Sequence, residues 1–519
     1  MLVYFVFLQF LAWAAAQINF TNPIIWQDLP DIDLIRHRDA YYYSASTFQF
    51  SPGAVILRSY DLVNWEYLSH SVPSLDFGDT EGFDLVSGPG QRYNQGIFAS
   101  YFNYRKSTDT FYWGGCIVGD WKTYVYTAPA VEGPWTQSSV IDICLYDAGM
   151  LIDDDDDTIY VAHGNTNISV AQLSDDGLRV VRDEVVFNST EELGYIEGSR
   201  FYKRNGAWYL WIVKPVPNQI VLKSTTGPFG PYEWRWVLQS NGNPVPGAGN
   251  PHQGALVSTP DDKWHYIAHL EAYPGGRIPV LAPVHWDDDG WPHVDFVDEQ
   301  WASSYPYPLP EHPVKPITGT DKFETLGPQY QWNHNPDNSA WAINDGLELH
   351  TATVTDDFFR ARNTLTHRIL GPQSTLTIEL DHSQMVDGDR AGVVLFRYAA
   401  AWIGMIKSEN NTRVAMVNDI LMIPDDGWHT VNKGDEIASV EVSGATVWLR
   451  LEVGVNSFYN QEGRFSWSTD GVNFEPLGEP HEEIDRGILH FMGYRYGVFN
   501  YATLARGGAV TVKSLSIYE

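Results

Sequence analysis

A short strand-like motif recurs five times in the first part of the chain. Its pattern is a polar or turn residue, a spacer, an apolar residue, a tyrosine and another apolar residue. The central tyrosines lie 48 to 70 residues apart, at Tyr42, Tyr112, Tyr160, Tyr209 and Tyr266. Repeats of about this length, each a few β-strands long, are typical of a propeller whose blades surround a central axis. The repeat therefore predicts a five-bladed β-propeller.

Three carboxylates occupy matching places relative to this motif. Asp31 lies 11 residues before the first tyrosine, Asp147 lies 13 before the third, and Glu197 lies 12 before the fourth. If the motif marks one strand of each blade, these acids fall on the preceding strand, which is the one nearest the axis. Three acids from three blades would then converge on one pocket.

Such a pocket has the chemistry that hydrolysis of a glycosidic bond requires. One carboxyl group must be protonated to donate to the leaving oxygen, and a second must be ionised to activate water or to attack. A third acid beside the proton donor would raise the pKa of that donor by like-charge repulsion. The repeat positions therefore predict a glycosidase.

Composition limits the partners that the chain can bind. Its 519 residues include 65 acidic and 33 basic side chains, for a net charge of −32. An acidic surface repels nucleic acid and anionic membranes, and it is compatible with a neutral polysaccharide, although the charge can equally serve solubility alone. We expect no nucleic-acid or membrane partner. The two cysteines, Cys116 and Cys144, can pair in an oxidising compartment, but the sequence leaves their pairing open.

The order of segments predicts an all-β protein with two domains. Residues 1–16 form an apolar run that ends in three alanines, as in a secretory signal peptide, so we expect a secreted, extracellular protein. Residues 17–302 hold the propeller repeats. Residues 303–320 contain five prolines and predict an extended linker. Residues 321–519 show alternating apolar and polar runs without helical periodicity, which predicts a β-sandwich.

Several segments resemble one family of enzymes. They are Asn22-Pro23-Ile24 with Pro30-Asp31-Ile32-Asp33, and Ile196-Glu197-Gly198 with Phe201-Tyr202-Lys203. Both are similar to the signatures of glycoside hydrolase family 43, five-bladed propeller enzymes that act on arabinose- and xylose-containing plant polymers. The C-terminal region resembles the concanavalin-like domain of that family. The resemblance implies that Asp31 is the general base, Glu197 the general acid and Asp147 the residue that tunes and orients the acid. It also implies inversion by a single displacement with water.

The resemblance extends to residues that would contact the substrate. Arg277 matches an arginine that holds sugar hydroxyls, and His252 matches an axial histidine that contacts water or a metal ion in the central channel. No cofactor is expected to be required, and a structural calcium ion near the axis is one possibility. Tyr146 would form an aromatic wall beside the cleaved sugar. Phe48 and Phe98 would either stack on sugar faces or pack in the propeller core.

Two departures from the family pattern bear on the substrate. Family β-xylosidases carry Trp-Ala-Pro where this chain has Phe98-Ala99-Ser100, and Asp-Pro-Ser where it has Asp147-Ala148-Gly149. We therefore expect an exo-acting α-L-arabinofuranosidase that removes side groups from arabinoxylan. The alternatives are a β-xylosidase, or a bifunctional enzyme, that acts on xylo-oligosaccharides. A more distant alternative is a non-catalytic carbohydrate-binding propeller.

Overall fold

The computed structural model describes residues 18–78, 82–86, 91–215, 218–409, 411–424, 427–458, 461–482 and 490–519. The predicted signal peptide, residues 1–16, lies outside these ranges, so secretion stays a prediction. The regular structure of the described residues consists almost entirely of strands, with a short 3-10 helix at Phe358–Arg360. None of the described residues form a helix long and apolar enough to cross a membrane.

Aromatic and β-branched residues in the repeats favour extended backbone, and each repeat folds as the second strand of a blade. The strands of this half of the chain are β1 (Asn19–Thr21), β2 (Asp33–His37), β3 (Ala40–Ala45), β4 (Phe50–Ser51), β5 (Gly53–Ser59), β6 (Glu66–Val72), β7 (Gly96–Ile97), β8 (Tyr101–Arg105), β9 (Thr110–Val118), β10 (Thr123–Ala128), β11 (Thr136–Ile141), β12 (Gly149–Ile152), β13 (Ile159–His163), β14 (Asn167–Leu173), β15 (Val180–Asn188), β16 (Glu197–Arg204), β17 (Ala207–Lys214), β18 (Asn218–Ser224), β19 (Glu233–Gln239), β20 (His252–Ser258), β21 (Trp264–Glu271), β22 (Arg277–Trp286), β23 (Pro292–Val294) and β24 (Ser304–Pro306).

These strands form five antiparallel sheets around one axis. The blades run β2-β3-β5-β6, then β8-β9-β10-β11 with β7 also on β9, β12-β13-β14-β15, β16-β17-β18-β19 and β20-β21-β22-β23. The first strands of the blades, β2, β8, β12, β16 and β20, contact one another in a ring. The repeat tyrosines lie on β3, β9, β13, β17 and β21. The predicted five-bladed propeller is confirmed, and the strand before each motif is the innermost one.

The propeller is held closed at its ends and between its blades. Strand β1 pairs with β24, with Phe20 opposite Tyr305, so the start of the predicted linker is a strand paired with the N-terminal segment. Aromatic rings pack between blades, as for Tyr209 and Trp286, whose ring centroids lie 5.0 Å apart. Cys116 on β9 and Cys144, shortly before β12, form a disulfide that joins the second and third blades.

The second half of the chain folds into two sheets packed face to face. Its strands are β25 (Gly319–Asp321), β26 (Tyr330–Asn333), β27 (Trp341–Ile343), β28 (Leu347–His350), β29 (Leu365–Arg368), β30 (Gln373–Asp381), β31 (Asp389–Phe396), β32 (Ala399–Ser408), β33 (Asn411–Ile423), β34 (His429–Glu441), β35 (Thr446–Val455), β36 (Gln461–Ser468), β37 (Glu475–Pro476), β38 (His481–Glu482), β39 (Arg495–Ala502) and β40 (Ala509–Tyr518). In β30 every second residue is buried, because the side chains of a strand point alternately to the two faces of its sheet. The predicted β-sandwich is confirmed.

The two halves share a sheet. One sandwich sheet runs β34-β33-β32-β31-β39-β29-β26-β4, and its last strand, β4, comes from the first blade of the propeller. Trp332 pairs with Ser51 and Asn333 with Phe50 in this contact. The sandwich is therefore joined to the propeller by backbone hydrogen bonds as well as by side-chain packing.

Candidate active site

The three predicted acids lie at the same end of three innermost strands. Asp31 and Asp147 each stand two residues before an innermost strand, β2 and β12, and Glu197 is the first residue of β16. Asp31 and Asp147 have left-handed backbone, with φ of 59° and 48°. Residues other than glycine seldom adopt this conformation, and those that do cluster at functional sites. Both residues lie where the chain turns into an innermost strand, next to the propeller axis.

A buried arginine on β16 links the three acid-bearing blades. The Arg200 guanidinium donates to the backbone carbonyl of Asp31 at 2.9 Å and to that of Ala148 at 2.8 Å. It also donates to the carbonyls of Ile32 and Ser199, both at 2.9 Å. Sequence reasoning missed this residue, although an arginine three positions after Glu197 on an innermost strand is an available signal. Arg200 therefore links the backbone segments that carry the three acids.

Asp31 is held by charge. Arg277 donates to both of its carboxylate oxygens, at 2.7 and 3.2 Å, and the Ser46 hydroxyl donates to one of them at 2.6 Å. The side chains of Asp31 and Arg277 are 3% and 6% exposed, so this is a buried, two-pronged ion pair. The backbone N–H of Asp31 donates to Nδ1 of His269 at 3.2 Å.

A second carboxylate, Asp28, positions the backbone of Arg277. One Asp28 oxygen accepts the backbone N–H of Arg277 at 2.8 Å, and the other accepts that of Gly493 at 3.0 Å. Gly493 belongs to the sandwich half of the chain. The sandwich is thus connected through one carboxylate to the arginine that holds Asp31.

Glu197 is held by phenols instead of by a cation. The hydroxyls of Tyr195 and Tyr146 both donate to the same carboxylate oxygen, at 2.7 and 3.1 Å. Burial raises the pKa of Glu197, the two tyrosine hydrogen bonds oppose that rise, and the charge of Asp31 adds to it. Tyr195 was missed by the sequence reasoning, although it stands two residues before the predicted acid.

Asp147 is coupled to Glu197. Burial raises the pKa of Asp147 well above its usual range, and the charges of Glu197 and Asp31 raise it further. Two buried carboxyl groups that interact strongly titrate as a pair. The pair therefore retains a proton at a pH where isolated carboxyl groups have lost theirs.

Aromatic side chains surround the guanidinium of Arg277. Its central carbon lies 5.7 Å from the ring centroid of Phe48 and 5.6 Å from that of Phe491. The Phe98 ring lies 4.9 Å from Phe48 and 5.7 Å from Phe491. Phe491 comes from the sandwich and was not predicted; its distance in the chain from the propeller repeats left no signal for it. Phe48 and Phe98 therefore lie around Arg277 and Tyr146 lies against Glu197, with Phe48 only 1% exposed.

His252 lies at the axis beside a second histidine. The rings of His252 and His269 are 4.7 Å apart, and the Nδ1 atom of His252 is 2.9 Å from the Asn250 carbonyl oxygen. Burial lowers the pKa of both imidazoles. Ca²⁺ takes six to eight oxygen ligands, and neutral imidazoles do not supply them. Within the described ranges no group of three or more His, Cys, Asp or Glu side chains is arranged to hold a metal. The possible calcium ion near the axis stays a prediction.

Two family models and several known proteins match this chain. The family model for Glycosyl hydrolases family 43 matches residues 20–292, and the model for the Beta xylosidase C-terminal Concanavalin A-like domain matches residues 320–517. A β-xylosidase of Formosa agariphila is 27% identical over 95% of this chain and 89% of its own length. A non-reducing end α-L-arabinofuranosidase of Bacteroides ovatus is 26% identical over 78% of this chain and 79% of its own.

One solved structure is similar over almost the full length. It is a GH43 glycoside hydrolase whose engineered active site displays both endo-xylanase and exo-arabinofuranosidase activity. It is 42% identical, superimposes with a TM-score of 0.93, and covers 96% of this chain and 100% of its own.

Proposed function

The chain belongs to glycosyl hydrolase family 43, and we propose that it is an inverting exo-glycosidase that releases α-L-arabinofuranosyl side groups from arabinoxylan. The observation that carries the proposal is the contrast between two carboxyl groups in one pocket. The buried Arg277 guanidinium forms an ion pair with Asp31, whereas Glu197 has no such cation beside it and burial raises its pKa. An ionised and a protonated carboxyl are the two groups that this hydrolysis requires.

In the proposed reaction Glu197 is the general acid and Asp31 the general base. Glu197 gives its proton to the glycosidic oxygen as the bond from that oxygen to the anomeric carbon breaks. Asp31 removes a proton from a water molecule whose oxygen attacks the same carbon from the opposite face. The products are free arabinose of inverted anomeric configuration and a xylan that has lost one side group. Transfer of a proton from Asp31 to solvent and uptake of one by Glu197 restore the enzyme.

Asp147 acts on the acid through their coupling. Because Asp147 and Glu197 cannot easily both be ionised in a buried pocket, their mutual repulsion retains the proton that Glu197 must deliver. Arg277 has one further buried nitrogen, Nε, with no hydrogen-bond partner among the described residues. We propose that Arg277 also orients sugar hydroxyls, within the wall formed by Phe48, Phe98 and Phe491.

Two observations support arabinose as the released sugar. The solved structure that is 42% identical belongs to an engineered enzyme that displays both endo-xylanase and exo-arabinofuranosidase activity. In addition, this chain has Phe98-Ala99-Ser100 and Asp147-Ala148-Gly149 where β-xylosidases of the family carry Trp-Ala-Pro and Asp-Pro-Ser. The second candidate, a β-xylosidase that acts on xylo-oligosaccharides, is favoured by relatives such as the Formosa agariphila enzyme.

The deciding experiment is incubation of the purified protein with arabinoxylan and, separately, with xylo-oligosaccharides. We expect free arabinose, initially as the inverted anomer by NMR, and its loss in Glu197→Ala. Glu184→Ala removes an exposed acid from β15 and is the matched control. Release of xylose in place of arabinose would move the assignment to β-xylosidase. No sugar from either substrate would favour the non-catalytic binding protein.

A further inference from the structure

Two buried arginines face each other where the sandwich meets the propeller. Arg368 on β29 and Arg495 on β39 are directly opposite in the antiparallel pairing of these strands. Their exposed fractions are 1% and 2%. Like charges in directly opposite positions repel each other, and burial strengthens the repulsion because it removes the screening by water. The fold therefore places two repelling cations in one buried spot.

The hydrogen bonds of the two side chains leave several donors unused. Arg368 Nε donates to the Asp28 carbonyl at 2.8 Å, and one terminal nitrogen of Arg495 donates to Gln331 Oε1 at 3.0 Å. The Tyr67 phenol lies beside the Arg368 guanidinium, and the Arg495 guanidinium stacks 3.5 Å from the ring centroid of Phe50. Both terminal nitrogens of Arg368 and Nε of Arg495 are nevertheless buried without a well-formed hydrogen bond in the described structure. Buried polar groups are almost always hydrogen-bonded, so a cluster of unpartnered donors indicates a ligand.

The nearby side chains do not balance the charge. Neither arginine forms an ion pair with any carboxylate among the described residues, and the Asp28 carboxylate accepts two backbone N–H groups instead. His70, also at this junction, has its pKa lowered to about 3 by burial and by the two arginines, so it is neutral. Burial raises the pKa of Tyr67, so that phenol is also neutral. Burial and the charge of Arg368 lower the pKa of Arg495, but guanidinium groups stay protonated in proteins. Two positive charges and the one negative charge of Asp28 leave an excess of one positive charge.

We propose that Arg368 and Arg495 form a binding site for a small inorganic anion, chloride, at the junction of the propeller and the sandwich. A single negative charge cancels the excess, and its lone pairs accept from the unused guanidinium donors. The unpartnered nitrogens have almost no exposed surface, which favours a monatomic ion over a larger one. Because Arg368 also donates to Asp28 in the propeller, the anion strengthens the docking of the two halves.

The direct test is crystallography of the full-length protein with bromide in place of chloride. Bromide scatters anomalously, so we expect an anomalous peak within hydrogen-bond distance of the Arg368 and Arg495 guanidinium groups. Electron density for a water molecule without an anomalous peak, or no anomalous peak beside either arginine, would overturn the proposal. This test uses the unaltered chain and does not depend on whether a variant folds.

A stability measurement tests the consequence. Saturating chloride should raise the thermal midpoint by on the order of 3 °C over gluconate at equal ionic strength, because it binds only the folded state. Arg368→Gln should lose that difference, while Arg464→Gln, which removes an exposed arginine of the sandwich, should keep it. An equal response to both salts in the unaltered protein would count against the site.

Discussion

Asp31 and Glu197, the two carboxyl groups proposed to act in catalysis, lie in contrasting environments. Asp31 is buried against a cation, a hydroxyl and a structural network that reaches the sandwich through Asp28. Glu197 is held by two phenols, and one of them, Tyr195, is 47% exposed. The first carboxylate is bound by a buried cation, and the second has its pKa raised by burial. Two carboxyl groups on equivalent innermost strands therefore differ in their chemistry because their hydrogen-bond and charge partners differ.

The largest expected effect separates the two roles by leaving group. Asp31→Asn should lower kcat by about 10⁴-fold on arabinoxylan and on a nitrophenyl arabinofuranoside alike, because water needs its base in both cases. Glu197→Gln should lose on the order of 10²–10⁴-fold on arabinoxylan and much less on the nitrophenyl substrate, whose leaving group needs no proton. Steady-state kinetics of both variants on both substrates provide the measurement. An equal dependence on the leaving group would contradict the assignment.

Replacing Arg277, the cation beside Asp31, should lower both the stability of the protein and the rate of hydrolysis. Arg277→Met leaves a buried carboxylate without its partner, and we expect a loss of about 3–5 kcal/mol in the free energy of unfolding. Arg58→Met breaks the part-exposed pair with Glu66 and should cost less than about 1 kcal/mol. Denaturant unfolding curves of the two variants make the comparison. Similar losses would mean that the ion pair at Asp31 is no stronger than one at the surface.

The contribution of the sandwich to the pocket should be smaller. Phe491→Ala removes a ring that lies against Arg277, and kcat/KM should fall by roughly tenfold. Phe474→Ala removes a ring under Arg450, a similar cation–aromatic contact in the sandwich. Activity assays of both variants test whether the loss of activity requires a ring beside Arg277 or follows from losing any cation–aromatic contact in the sandwich. If the Phe474 variant loses as much activity as the Phe491 variant, the effect is one of general packing.

The smallest expected effect is on the pH profile of the Glu197 corner. The Tyr195 hydroxyl donates to the carboxylate and thereby lowers the pKa of Glu197. Tyr195→Phe should raise that pKa, so the acid stays protonated to higher pH and the basic limb of kcat/KM moves upward. At the optimum the rate should change by less than about tenfold. A basic limb that stays in place or moves downward would show that Tyr195 does not set this titration.

The parts of the molecule that follow local patterns were predictable. The spacing of the repeat tyrosines predicted the blades, and the position of Asp31, Asp147 and Glu197 before those tyrosines predicted that they lie next to innermost strands. The partners that distinguish the acids were not predictable in the same way. Asp28 joins residues far apart in the chain, and Phe491 reaches the pocket from the other domain. No periodic pattern encodes such contacts, because they depend on how two finished domains pack.

Strand β4 has a consequence for how such a protein can be altered by recombination. It lies within the first blade but completes a sheet of the sandwich, with a register set by Trp332 opposite Ser51. A sheet edge left without its partner exposes unpaired backbone groups, and a shifted register turns every side chain to the wrong face. Joining this sandwich to an unrelated propeller would therefore also require a matching edge strand. The two halves must therefore be exchanged together, although each has its own core.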